Sequence, residues 1–218
     1  PSEFSNEAIT KQRIKILESL TPLPQKIVFG QYEGYRKEKN VDPKSHTDTF
    51  YALKTFLIND RFNDVPVYIR AGKKLAQTVT EISIIFKTPV NRLLKNLDCG
   101  EEPNVLIYRI QPNEGIVLKI FTKVPGHKIK LKPSYMQFCY KGDIHSHIIP
   151  DPHERLLMDT IYGDQTFFND ADEVEAQWAF IDPLAAVRGK PHIYKAGSWG
   201  PKSADILLNK DDREWFYY

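Results

Sequence analysis

The stretch "NVLIYRIQPNEGIVLKIFTKV", residues 104–124, decides the fold class of this chain. Branched and aromatic residues recur with a period of two on both sides of the central "QPNEG", a pattern typical of β-strands. Proline, asparagine and glycine in that short connection are typical of a tight turn. The stretch therefore predicts two strands, 104–111 and 115–124, joined as an antiparallel hairpin.

The same strand pattern recurs on both sides of this hairpin. It appears upstream and, after a Pro-Gly turn, downstream, at 26–35, 49–60, 65–71, 79–88, 127–133 and 134–140. A helix is an alternative for 49–60, although its aromatic and branched residues favour a strand. Because parallel neighbours need crossovers of about a dozen residues, strands joined by short turns are expected to pair antiparallel. The pattern predicts about eight strands in one large, mainly antiparallel β-sheet.

Helices are predicted before and after this sheet. Residues 5–20 have apolar residues at helical spacing, with Ser5 as the N-cap. Asp151 occupies the N-cap position of a capping-box sequence, and Gly163 is placed to end that helix. Two later segments also have helical patterns, 170–189 and 202–209. The predicted fold class is α+β, a large mainly antiparallel β-sheet flanked by helices, in a single domain.

Composition excludes several classes of protein. Charged residues make up 27% of the chain, and 30 basic against 28 acidic residues give a net charge of +2, which argues against nucleic-acid binding. No apolar run approaches the ~20 residues of a membrane span. Cys99 and Cys139 show no metal-ligand spacing, and two free thiols favour a reducing compartment, so we expect a cytoplasmic protein. Because the chain does not begin with methionine, we expect it to be a piece of a longer protein.

A cluster of positive charge closes the strand predicted at 65–71. In "VPVYIRAGKKLAQT", residues 65–78, alternation gives way to Arg70, Lys73 and Lys74 around Gly72. This is either a solvated strand end or a cradle for an anion, since a glycine permits close approach and ammonium groups bind phosphate.

Common catalytic motifs are absent. The sequence contains no dinucleotide-binding glycine fingerprint, P-loop, zinc-protease motif or nucleophile elbow. His145 and His147 form an H-x-H pair without further ligands at metal-binding spacing, which favours a solvated loop over a metal site. The carboxylates form no pair that can be nominated as acid and base. From the residues alone we predict a sheet with a local cationic site and no catalytic set.

Five blocks of sequence, in order, resemble the carboxy-terminal part of the glucose-6-phosphate dehydrogenase family. They cover the chain from about residue 10 to about residue 203: "IVFGQYEGY", "TFYALKTFLINDRFNDVPVYIRAGKKL", "IYRIQPNEGIVLKIFTKVPG", "DPHERLLMDTIYGDQTFF" and "W…PLAAV…IYKAGSWGP". Several blocks at compatible spacing are far more specific than any one of them.

The resemblance implies a function for the whole protein. The family oxidises glucose 6-phosphate with NADP to 6-phosphoglucono-lactone, in the pentose phosphate pathway. It combines an amino-terminal Rossmann-like NADP-binding domain with an α+β domain whose sheet carries the subunit contact. Residues 1–218 resemble the second domain only. The resemblance therefore implies no catalytic residue here, an inactive chain in isolation, and a homodimer or tetramer formed through the sheet.

The resemblance also implies substrate-binding positions. Lys73 matches a lysine that contacts the sugar phosphate, and Thr78 occupies the position where the family usually has a second cation. A hydroxyl there brings no charge, which Lys74 could supply instead. Gln111 matches a glutamine near the sugar, although a turn-capping amide is an equal alternative.

Three further basic residues match positions that line a second, structural NADP site in animal members: Arg70, Arg109 and Lys119. The tail "DREWFYY" does not clearly reproduce the aromatic pattern of that site, and Ser83 replaces another arginine. For the two arginines, pairing with acidic neighbours across the sheet is the favoured alternative.

Two expectations concern partners. Apolar residues on both faces of 49–59 and 115–124 predict helices on one face and a subunit or another domain on the other. A non-catalytic scaffold or partner module derived from the same family is the alternative function, since it would share every block.

Overall fold

The computed structural model describes residues 1–23, 26–88, 102–127, 130–143 and 151–217. Cys99, His145 and His147, which the sequence singled out, lie outside the described residues. The chain divides into two compact units. The first unit comprises Pro1–Gln77 and Pro150–Tyr218, and the second comprises Thr78–Ile149.

The helices and strands follow the predicted order closely. They are α1 (Asn6–Glu18), β1 (Ile27–Tyr32), a 3₁₀ turn (Tyr35–Lys37), β2 (Phe50–Phe56), β3 (Pro66–Gly72), β4 (Thr80–Ile85), β5 (Val105–Gln111), β6 (Gly115–Lys123), β7 (Leu131–Cys139), α2 (Tyr140–Asp143), α3 (Pro152–Tyr162), α4 (Ala171–Ala185), β8 (His192–Tyr194) and α5 (Ser203–Asn209).

Side-chain caps explain where the helices begin. The Ser5 hydroxyl accepts a hydrogen bond from the backbone N–H of Ala8 at 3.3 Å, and the Asp151 carboxylate accepts one from His153 at 2.8 Å. Each cap satisfies a backbone N–H that lacks a partner within the helix. Gly163 ends α3 at φ 70°, a left-handed conformation that suits glycine. The predicted N-caps are confirmed.

The first unit contains a four-stranded sheet in the order β3-β2-β1-β8. β2 pairs antiparallel with both β1 and β3, whereas β8 runs parallel to β1. β2 is the strand predicted at 49–60, so the helix alternative is wrong. β8 was not predicted, because three residues are too short to show a periodic pattern.

Helices of this chain cover both faces of β2. Phe50 and Ala52 lie in a core cluster with residues of α5 that include Leu207. Leu53 points to the opposite face and packs with Phe180 of α4. The prediction that a subunit or another domain covers one face of this strand is therefore wrong, because α5 packs on one face and α4 on the other.

The second unit contains a four-stranded antiparallel sheet in the order β4-β5-β6-β7. The predicted hairpin is confirmed, with Arg109 opposite Gly115 across β5 and β6. β7 is one strand where two were predicted, because Pro133 continues the pairing with β6 opposite Phe121. Since β7 pairs only with β6 in this sheet, the missing N–H of Pro133 is tolerated there.

The α+β class with mainly antiparallel strands and flanking helices is confirmed. The eight strands in the described part of the chain are divided between two sheets, however, and not joined in one. Continuous hairpin signals predict which strands are neighbours but do not show where one sheet ends. None of the helices among the described residues has the length and apolar character needed to span a bilayer.

Candidate functional site

The aromatic ring of Phe50 leaves no space for a side chain at the end of β3, where the residue is Gly72. A Cβ built on Gly72 would lie 2.8 Å from the Phe50 ring, and one on Gly200 would lie 2.4 Å from it. Gly30 would meet Phe50 at 3.2 Å. Three backbone segments can therefore approach this buried residue only because each has a glycine at the point of contact. Close packing within the protein accounts for Gly72, which the sequence related to the approach of a ligand.

The backbone of Lys73 is held on both sides. Its N–H donates to the carbonyl of Thr49 at 2.8 Å, and its carbonyl accepts from the Tyr194 hydroxyl at 2.7 Å. The Lys73 side chain is exposed, and its ammonium makes no hydrogen bond or ion pair with any residue whose structure is described. Lys73 therefore combines a fixed backbone with a cation that lacks a protein counter-ion in the described part of the chain.

The neighbouring Lys74 has partners of its own. Its ammonium forms an ion pair with Glu38 and lies 4.6 Å from the centroid of the Tyr32 ring. The hydrogen bond from Lys74 lowers the pKa of Glu38, and the same bond raises the pKa of Lys74. Since this charge is engaged locally, Lys74 is less suited than Lys73 to bind an external anion.

Aromatic rings surround Arg70. Its guanidinium carbon lies 4.6 Å from the Trp199 ring, 4.5 Å from Trp215 and 4.8 Å from Tyr217, and its Nη1 donates to the Tyr217 hydroxyl at 3.0 Å. Such cation–π contacts stabilise the charge without an acidic partner. Across the sheet Arg70 faces Ala52, so the predicted pairing with a cross-strand acid is wrong for this residue.

The remaining predicted residues lie in the second unit. Thr78 and Gln111 are both exposed, and the first pair of β4 and β5 is Thr80 with Gln111. These two therefore lie at the same end of that strand pair. Lys119 forms an ion pair with Glu102 at 2.6 Å. Arg109 has Glu81 as its cross-strand neighbour, as the acidic alternative requires.

Other features of the described residues do not indicate a site for the predicted chemistry. A groove of about 630 Å³ lies between α1 and α4, lined by residues such as Leu17 and Phe180, and Lys73 does not line it. Among the residues with described structure, no cluster of His, Cys, Asp or Glu could hold a metal ion. The cationic end of β3 remains the best candidate.

Sequence reasoning missed Thr49 and Tyr194 as residues that build this site. Both lie within the blocks that resemble the known family, but they are 145 positions apart. No local pattern indicates that both reach the peptide groups of Lys73. The only signal was the presence of each residue within a block.

Comparison with known proteins identifies the relatives of the chain. The family model described as "Glucose-6-phosphate dehydrogenase, C-terminal domain" matches residues 1–216. The glucose-6-phosphate 1-dehydrogenase of Chlamydia muridarum is 40% identical over 236 residues, covering 100% of this chain and 46% of that protein. The enzyme of the same name from Treponema pallidum is 37% identical, with the same coverage of each chain.

Solved structures agree with these relatives. The crystal structure of glucose-6-phosphate 1-dehydrogenase from Mycobacterium avium matches with a TM-score of 0.87 at 28% identity, over 100% of this chain and 46% of that one. A glucose-6-phosphate dehydrogenase in complex with its substrate glucose-6-phosphate matches with a TM-score of 0.88 at 28% identity, over 100% of this chain and 47% of that one. The chain spans about half the length of the curated relatives it matches.

Proposed function

Because the chain belongs to the glucose-6-phosphate dehydrogenase family, as its carboxy-terminal domain, we propose that it supplies part of the sugar-phosphate site of an NADP-dependent dehydrogenase. The full-length protein oxidises glucose 6-phosphate to 6-phosphoglucono-lactone, in the oxidative pentose phosphate pathway. Residues 1–218 serve in this proposal as the substrate and dimerisation domain. In this proposal the chain alone is inactive, since the catalytic base and the coenzyme site belong to the amino-terminal domain.

The observation that carries this proposal is that Lys73 has a fixed backbone and an exposed ammonium group. Its backbone accepts and donates hydrogen bonds within the protein, while its exposed ammonium has no partner among the described residues. A compact cation of this kind can bind a phosphate dianion without first breaking an internal ion pair. Holding the phosphate fixes the sugar, and the reactive C1 can then be presented to the coenzyme.

Neutral hydrogen-bonding groups complete the proposed substrate contacts. Thr78 offers a hydroxyl to the phosphate, and Gln111 offers an amide to the sugar. Both side chains are exposed in the second unit. With a hydroxyl at position 78, Lys73 supplies most of the positive charge that the phosphate meets from this chain.

NADP serves in this proposal as the hydride acceptor bound by the amino-terminal domain. A second, structural nucleotide at Arg70 is not part of the proposal, because three aromatic rings surround that guanidinium. The ion pair of Lys119 with Glu102 likewise leaves little charge for a nucleotide phosphate.

We further propose a homodimer or tetramer formed through the second sheet. One face of this sheet presents exposed apolar side chains from all four strands, including Ile84, Tyr108, Ile116 and Met136, of which Met136 is 61% exposed. Apolar patches of this extent on a folded domain mark interaction surfaces. A cytoplasmic location completes the proposal.

Substitution of Lys73 in the full-length enzyme tests the function. Lys73→Ala should raise the KM for glucose 6-phosphate about 10- to 100-fold, since a hydrogen bond to a charged group contributes about 1.5–3 kcal/mol. The KM for NADP should remain nearly unchanged. Lys11→Ala, which removes an exposed lysine from α1, is the matched control. Equal changes in both KM values for Lys73→Ala would contradict the assignment.

A further inference from the structure

We infer that Tyr194 is a positioning residue for the sugar-phosphate site, because its buried hydroxyl fixes the peptide group from which the Lys73 side chain departs. The inference rests on the proposed function of Lys73. It assigns to Tyr194 a role that operates through Lys73, without contact to the substrate.

The Tyr194 hydroxyl lies at the centre of a small buried network. It donates to the carbonyl of Lys73 at 2.7 Å and lies 3.1 Å from Thr49 Oγ1 and 3.2 Å from the Thr49 carbonyl. Tyr194 is 3% exposed and Thr49 is 8% exposed. Burial raises the pKa of Tyr194, so the hydroxyl keeps the proton that it donates. Since the Tyr194 and Thr49 side chains are buried, a water molecule cannot easily take the place of the Tyr194 hydroxyl.

Aromatic packing fixes the direction of this hydroxyl. The Tyr194 ring lies 5.5 Å from the Phe50 ring and 6.4 Å from the Tyr32 ring, measured between centroids. β8 carries Tyr194 and pairs in register with β1, where Tyr194 faces Tyr32. The ring is therefore packed in the core, which directs its hydroxyl at the Lys73 carbonyl, just after β3.

The hydrogen bond from Tyr194 to the Lys73 carbonyl fixes the orientation of one peptide group. It belongs to the peptide that joins Lys73 to Lys74, and Lys74 adopts φ 50°, in the left-handed region. The carbonyl of Lys74 accepts from the N–H of Gly197 at 2.8 Å, so the next peptide is also held. Without the Tyr194 bond, the Lys73–Lys74 peptide could rotate toward a less strained conformation and displace the Lys73 side chain. A displacement of about 1 Å is enough to weaken a binding constellation.

The test is Tyr194→Phe in the full-length enzyme, which removes the hydroxyl and keeps the ring. We expect the KM for glucose 6-phosphate to rise about 3- to 10-fold, the range of one neutral hydrogen bond, with the KM for NADP and kcat within about twofold. Tyr68→Phe is the matched control, since it removes another partly buried hydroxyl from β3 that bonds to Asp211 and does not contact Lys73. An unchanged KM for glucose 6-phosphate in Tyr194→Phe would overturn the inference.

A double-mutant cycle separates this inference from the proposed function. Adding Tyr194→Phe to Lys73→Ala should cause no further rise in the KM for glucose 6-phosphate, because the tyrosine acts through the lysine. Additive effects would show that Tyr194 does not act through Lys73. If Lys73→Ala itself leaves this KM unchanged, the proposed function fails, and the inference fails with it.

A second variant covers the case in which Tyr194→Phe does not fold. Thr49→Val removes the side-chain oxygen that lies 3.1 Å from the Tyr194 hydroxyl and leaves the Thr49 carbonyl in place. It should raise the KM for glucose 6-phosphate in the same direction and by a smaller factor. A folded Thr49→Val enzyme with an unchanged KM would count against the inference.

Discussion

Asp211 and Lys54 form an ion pair at 2.5 Å that ties the end of the chain to the first sheet. The side chain of Lys54 is 10% exposed and that of Asp211 is 28% exposed. The same carboxylate oxygen accepts a hydrogen bond from Tyr68 on β3. One carboxylate after α5 therefore satisfies a buried cation and a hydroxyl on two adjacent strands.

Loss of this carboxylate should destabilise the first unit. Asp211→Asn leaves the Lys54 ammonium buried without a counter-ion, and we expect the free energy of unfolding to fall by about 1–3 kcal/mol. Denaturation in urea measures the change. Asp212→Asn, at the exposed next position, is the matched control and should have little effect. Equal stability of the two variants would show that the ion pair contributes nothing.

The Asp211 carboxylate should also make the stability of the protein depend on pH. Hydrogen bonds from Lys54 and then Tyr68 lower the pKa of Asp211. A carboxylate with a lowered folded-state pKa contributes stability that is fully present above its unfolded pKa of about 3.9 and is lost as pH falls through the folded value. The difference in unfolding free energy between the native chain and Asp211→Asn should therefore be constant from neutral pH to about pH 5 and shrink below pH 4. Urea denaturation at a series of pH values tests this, and a difference that grows with acid would contradict it.

Packing around Phe50 predicts unequal effects of alanine at two glycines. Gly200 and Gly34 have similar backbone angles, φ 106° and 91°, so alanine is strained at both. Only at Gly200 would the new Cβ also strike the Phe50 ring, whereas at Gly34 nothing lies within 4 Å. Overpacking costs about 1–3 kcal/mol, so Gly200→Ala should lose that much more stability than Gly34→Ala. Thermal unfolding of the two variants measures the difference. Equal losses of stability would show that the Phe50 ring moves aside to accommodate the new Cβ.

Adjacent isoleucines on β4 provide a test of the subunit contact. Ile84 and Ile85 are 41% and 43% exposed and point to opposite faces of the second sheet. Ile84→Asp places a charge on the proposed interface and should convert the full-length oligomer to a smaller species in sedimentation experiments. Ile85→Asp, equally exposed on the other face, should leave the oligomer intact. If Ile85→Asp dissociates the oligomer and Ile84→Asp does not, the subunit contact lies on the Ile85 face and the proposed interface is wrong.

Local patterns predicted most of the elements of this fold. Alternation of branched and aromatic residues predicted β1 to β6, and Ser5 and Asp151 were predicted as N-caps because capping depends on residues a few positions apart. The place of β8 in the first sheet was not predictable in this way, because its pairing with β1 joins residues more than 150 positions apart. Local patterns also do not show that the first sheet ends between β3 and β4. The prediction for β7 was wrong because a proline was interpreted as a boundary.

The sequence by itself determined the family, the order of β1 to β6 along the chain and the presence of a lysine after β3. Only the tertiary structure decided which cation remains available. Glu38 engages Lys74, and three aromatic rings surround Arg70, while Thr49 and Tyr194 hold the Lys73 backbone and leave its ammonium exposed. The physical reason is that a charge is available or satisfied according to its neighbours in space, and those neighbours come from segments that the chain brings together only on folding.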